Sequence, residues 1–179
     1  MPSKGDFFGA NNIPTGRNIF SSLENAMQIT IGKAYNEIEI GDVFGATMTV
    51  TESHLVLGAG LFGDFNPLHV NEEFSRNSRF GTRILHGPFS AAMASSSIGN
   101  FFGEAAVAYL EHNCRFTGPI KIGDTVTTRW TIIDKIDKPQ AGGGIAVMEG
   151  KCINQKGEEV LIATGKILLY QRSACHNVI

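Results

Sequence analysis

The chain has 179 residues, 42% apolar and 18% charged, which suits one globular domain with a sizeable core. Its formal charge of −2 gives no electrostatic case for nucleic acid or an anionic membrane surface. Cys114, Cys152 and Cys175 are odd in number and widely spaced, against a disulfide framework or a zinc site and in keeping with a reducing compartment.

Residues 1–33 are rich in Gly, Asn, Ser and Pro without a sustained period, and read as an extended or partly disordered arm. They hold no apolar core of signal-peptide length, which argues against secretion and for a cytoplasmic protein. The domain itself is expected over residues 34–172, with a tail at 173–179. Residues 43–50 predict a strand. Thr51 then opens a short helix weakened by glycine, and Asn71 has the character of an N-cap with Glu72 and Glu73 in the first turn. Residues 84–103 lack Asp, Glu, Lys and Arg, but His86, Pro88, four serines and Asn100 make a buried helix the better reading than a membrane span. That helix is expected over residues 88–102, with Pro88 at a first helical position.

Four strands follow in the sequence pattern. Over residues 107–116 one face carries Ala108, Leu110, Cys114 and Phe116, and the other Glu111, Asn113 and Arg115. Residues 125–133 are rich in β-branched side chains, the run Gly142 to Gly144 separates them from residues 145–153, and a tight turn over residues 154–157 leads into residues 160–170. In the last segment Leu161, Ala163, Ile167 and Leu169 share a face. Short loops between successive strands predict an antiparallel meander. The whole is an α+β fold, a long antiparallel sheet curled around one helix, whose exposed strand edges call for at least a dimer.

The run Gly63-Asp64-Phe65-Asn66-Pro67-Leu68-His69 is the most informative in the chain, with two readings open to it: a capped turn with no further role, or a site for proton transfer. Pro67 disfavours the helical region for Asn66, so Asp64 and His69 lie around a bend where both side chains can meet one water. A carboxylate and an imidazole at one water are equipment for proton transfer. Further on, His86-Gly87-Pro88 begins the central helix. Pro88 has no N–H, so Gly87 is the natural donor there, suited to polarising a carbonyl oxygen that gains charge.

Three patterns are decoys. Gly58 to Gly63 fits G-x-G-x-x-G, but turn residues follow it instead of a helix, and no βαβ unit surrounds it. His54, His69, His86 and His112 show no metal-ligand spacing, so no metal is expected. Ser95, Ser96 and Ser97 lack a nucleophile-elbow pattern, and their hydroxyls are expected to return to the helix backbone.

The stretch from Gly63 to Asn71, continued by Phe80-Gly81 and Leu85-His86-Gly87, resembles the signature of the MaoC-like dehydratases, a family that includes (R)-specific enoyl-CoA hydratases. A looser likeness runs over residues 35–170. The resemblance implies a hot-dog fold that dimerises and acts on 2-enoyl thioesters, forming an (R)-3-hydroxyacyl thioester or running in reverse. Asp64 and His69 would activate water and the Gly87 N–H would polarise the thioester carbonyl. Asn66 would shape the loop or assist binding, with His86 and Pro88 also at the substrate site. No cofactor is implied beyond coenzyme A, or an acyl-carrier protein, as part of the substrate. His86 has a second reading, as a structural residue bonded to the Asp64 loop. A hot-dog thioesterase and a non-catalytic acyl-binding subunit are the rival readings, since fold does not fix reaction. Arg79, Arg83 and Lys121 are candidates to meet coenzyme A phosphates, and Met93, Phe101 and Phe102 to face the acyl tunnel.

Overall fold

The computed structural model describes residues 32–172. The expected arm, apart from its last two positions, and the expected tail with Cys175 lie outside the described residues. Five strands form one antiparallel sheet: β1 (Val43–Thr49), β2 (Ala106–Phe116), β3 (Thr125–Lys138), β4 (Gly143–Ile153) and β5 (Glu159–Tyr170). Between β1 and β2 come α1 (Glu52–Phe62), α2 (Pro67–Val70), α3 (Glu72–Arg76) and the long α4 (Gly87–Phe102), which packs in the curl of the sheet.

The strand order is β1-β3-β4-β5-β2, which corrects the expected four-strand meander. Only β3, β4 and β5 follow one another in space. The free side of β3 is taken by β1, where threonine hydroxyls pair across the strands at 3.0 Å (Thr47–Thr127) and 2.9 Å (Thr49–Thr125). The loop after β2 is therefore a crossover, and β2 pairs with β5 at the far edge.

Register irregularities in β2 also correct its expected faces. Shifts lie between Ala106 and Ala108 and between Tyr109 and Glu111, and each breaks the period of two. Tyr109, opposite the buried Ile167, takes the inward face in place of Ala108 and Leu110, while Cys114 and Phe116 keep it opposite Ala163 and Leu161. In β5 the inward row Leu161, Ala163, Ile167 and Leu169 is buried as its alternation predicted.

The helix α4 begins with Pro88 in its first turn and ends at Gly103, whose φ is 48°. Met93, Ala94, Ile98 and Phe102 face the sheet, and burying a side chain such as Ile98 or Phe102 contributes about 1.5–3 kcal/mol. Ser95, Ser96 and Ser97 each donate to a carbonyl three residues back, which is how an uncharged helix satisfies its hydroxyls. The burial is one-sided, with Ala92, Ser96, Gly99 and Asn100 exposed in a single chain. Among the described residues no helix is long and apolar enough to cross a membrane.

Candidate active site

The loop that carries Asp64 is built by three local devices. The first caps α1 at its start: the Thr51 N–H donates to His54 Nδ1 at 2.8 Å, which commits His54 to the cap. At its end Gly63 adopts φ 66°, ψ 19°, a left-handed turn that glycine makes without steric cost. Two side-chain turns then follow in tandem. Asp64 Oδ1 accepts the Asn66 N–H at 3.1 Å, and Asn66 Oδ1 accepts the Leu68 N–H at 3.0 Å. Pro67 starts α2, which delivers His69 within one turn. Asn66 thus shapes the bend, and Asn71 caps α3 as expected, accepting the Phe74 N–H at 2.9 Å.

The ring of His69 is fixed by its Nδ1–H, which donates to the Ile84 carbonyl at 2.7 Å. In the neutral ring Nε2 then carries a lone pair, and Asp64 Oδ2 lies 3.6 Å away. In this tautomer both are acceptors, so neither satisfies the other. The His69 side chain is 12% exposed and that of Asp64 44%, so the pair opens to solvent through the carboxylate.

His86 lies behind them with no exposed surface. Its Nε2–H donates to the Asp64 backbone carbonyl at 3.0 Å, and its ring stacks on His69 with centroids 3.9 Å apart and planes 28° from parallel. Among the described residues its Nδ1 is buried without a partner, a defect that costs about 1–3 kcal/mol in a protein interior. The next residue, Gly87, opens α4. His86 is the N-cap and offers no side-chain bond to the helix, so the first N–H groups and the positive end of the dipole stay available. Phe116 stands beside Gly87: a Cβ there would lie 3.5 Å from its ring. Pro88 is exposed in the same turn.

Asp64, His69 and His86 thus bring possible ligand atoms within 4.8 Å of one another, a grouping that spacing along the chain did not announce. The geometry fits a cation poorly, because His86 Nε2 is bonded to a carbonyl and its Nδ1 abuts Gly58 on α1. Among the described residues the other two histidines lie elsewhere, His54 in the cap of α1 and His112 meeting Cys114 Sγ at 3.0 Å. A groove of about 920 Å³ on the outer sheet face, lined by residues such as Arg115, Arg129 and Lys151, includes none of the dyad or Gly87.

Of the cations considered for phosphates, Arg83 is engaged in a clamp. It bonds Glu52 twice at 2.7 Å and Glu72 at 2.9 Å, tying the start of α1 to α3 and to the segment leading into His86. Lys121 Nζ donates to the Phe80 carbonyl, and Arg79 lies exposed over the Phe80 ring. The Arg83 guanidinium holds both Glu52 and Glu72 below their ordinary value of 4.5. Depressed carboxylates add stability above the unfolded value and lose it as pH falls through the folded values. The Tm gap between wild type and Arg83→Ala is therefore expected to be widest near neutrality and to shrink below pH 4.5, as thermal melts across pH would show.

Met93, Phe101 and Phe102 serve the core at the positions seen here. Phe101 stacks on Phe44 at 4.0 Å, and Phe102 is fully buried, at the opposite end of α4 from Gly87. Contributors that the sequence reading missed are the Ile84 carbonyl, Gly58 and Phe116. Gly58 alone left a signal, a glycine inside a helix with no turn to make.

Comparison with known proteins adds to this geometry. The family model described as MaoC like domain matches residues 36–149. An (R)-specific enoyl-CoA hydratase of Rhodospirillum rubrum is 37% identical over 98 residues, covering 55% of this chain and 68% of that protein. A 3-hydroxybutyryl-CoA dehydratase of Methylorubrum extorquens is 29% identical over 57% of this chain and 65% of its own length. Among solved structures, an unliganded R-hydratase from Pseudomonas aeruginosa superposes with a TM-score of 0.71 at 29% identity, covering 78% of this chain and 86% of that one.

Proposed function

Since the chain belongs to the MaoC-like domain family, we propose that it is a hydratase/dehydratase that adds water across the double bond of a 2-enoyl thioester, giving an (R)-3-hydroxyacyl thioester. The observation that carries the mechanism is the pair of facing acceptors, Asp64 Oδ2 and His69 Nε2, 3.6 Å apart. A water satisfies both by donating one O–H to each, which leaves its lone pair free to attack. In the reaction the water oxygen bonds C3, the π electrons move toward the thioester carbonyl, and a proton is delivered to C2. The dyad takes the proton that the water loses and returns one to C2. The Gly87 N–H, at the uncapped positive end of α4, stabilises the charge that builds on the carbonyl oxygen.

The same adjacency brings these groups together without a cofactor in the scheme. Gly87 follows His86, which is bonded to Asp64 and stacked on His69. The substrate is an acyl-CoA or acyl-carrier-protein thioester. A second copy of the chain completes the assembly in this reading: β2 is an edge strand with Val107 and Leu110 exposed, and light scattering should give the mass of a dimer or more.

The test uses crotonyl-CoA and longer enoyl-CoAs. Hydration removes the enoyl-thioester absorbance and releases no thiol. Free thiol appearing from an acyl-CoA instead would replace this reading with thioester hydrolysis, and tight acyl-CoA binding without turnover across the panel would leave a binding subunit.

A further inference from the structure

We propose that His86 and Gly58 form a positioning pair, a buried imidazole seated against a side-chain-free helix position, which holds Asp64 and His69 in working register. The inference rests on the hydratase reading and extends the site to residues that a substrate does not touch.

His86 engages both members of the dyad. Its Nε2–H holds the main chain of Asp64 at 3.0 Å, and its ring face supports His69 at 3.9 Å. Asp64 needs that hold, because its half-exposed carboxylate sits on a loop just past the left-handed Gly63. His69 is held in its plane by the Ile84 carbonyl and on one face by His86, so its Nε2 keeps its aim at Asp64 Oδ2. The ring and the donor are both required. A phenylalanine would stack but not bond, and a glutamine would bond but not stack.

Gly58 is what lets the imidazole sit there. A Cβ at this position would lie 2.7 Å from His86 Nδ1, 3.1 Å from its Cε1 and 3.3 Å from the Phe89 ring. His86 is also flanked by the stacked His69 and, at 6.1 Å between ring centroids, by Phe62. Glycine weakens a helix interior, and here its lack of a side chain is matched by the imidazole edge it accommodates. The unpartnered Nδ1 points at this seat. A buried ring that forgoes one hydrogen bond to keep another on Asp64 is placed for the site's geometry and not for stability.

Gly58→Ala and His86→Phe test the pair, each read by kinetics and by imidazole nitrogen NMR. In the wild type the spectrum should show His86 with hydrogen on Nε2 and His69 with hydrogen on Nδ1. Both variants are expected to lower kcat by about 10²-fold while KM stays within about twofold, since a small misplacement acts on the chemical step. The His69 nitrogen signals should move in both. Alanine favours helix, so α1 should survive the first substitution. If Gly58→Ala fails to fold, His86→Phe decides alone, because it removes the donor while keeping an aromatic ring, larger than the imidazole, against His69. Wild-type kcat with unmoved His69 signals in a folded variant would overturn the proposal. The NMR arm needs no substrate: an inactive wild type would sink the hydratase reading, while the His69 signals would still decide this one.

Discussion

Asp64→Asn is expected to lower kcat by about 10²–10⁴-fold, the range that a positioned acid–base group supplies, with little change in fold or stability. The substitution is nearly isosteric. An asparagine oxygen still accepts the Asn66 N–H, and the backbone carbonyl still receives His86. What changes is the other side-chain atom. An amide NH₂ in place of Oδ2 faces the His69 Nε2 lone pair across 3.6 Å and can bond it directly. The gap then closes on itself, and the water loses both its acceptors. Steady-state kinetics beside a urea melt would check this, and a folded Asp64→Asn with wild-type kcat would exclude Asp64 from the chemistry.

Trp130→Ala should produce the largest loss of stability, about 3–5 kcal/mol, which is a large part of the 5–15 kcal/mol that holds a domain together. The ring is fully buried and fills the space over Gly150, where a Cβ would lie 2.7 Å from it. Its Nε1–H donates to the Ala94 carbonyl at 2.9 Å, pinning α4 to β3. Trp130→Phe separates packing from hydrogen bonding. The Ala94 carbonyl keeps the Ser97 hydroxyl, so that variant should lose nearer 1 kcal/mol of the bond itself, beyond any cost of lost volume. Urea unfolding of the three proteins gives both quantities, and equal losses in the two variants would mean that the hydrogen bond outweighs the packing.

The sequence was legible where local chemistry decides structure. Asn66, Pro67 and Asn71 specify turns and caps through their own side chains or rings, so the bend bearing Asp64 and His69 could be read from neighbours in the chain. The inward row of β5 was legible for the same reason, because from Leu161 to Leu169 β5 itself runs without an extra residue and its ladder with β4 keeps register, the irregularities opposite it lying in β2. Non-local choices were hidden. Nothing in residues 117–124 announces that β2 will pair with β5 while β1 takes β3, and a bulge is one residue that leaves no compositional mark. Gly58 shows the same limit at the site. Its spacing fits a nucleotide-binding pattern, whereas its structural partner is a histidine edge 28 residues further along the chain. The stacking of His86 on His69 likewise needs the crossing of two segments that periodicity cannot bring together.

The most direct test of the account follows the water itself. Purified wild-type chain and an enoyl-CoA that it turns over are incubated in heavy-oxygen water, and the products are analysed by mass spectrometry. The account predicts that the label enters the 3-hydroxyl of an intact acyl-CoA, with a solvent proton at C2 and an (R) centre at C3. Label in a released carboxylate, with free coenzyme A beside it, would contradict the account and assign the site to thioester hydrolysis.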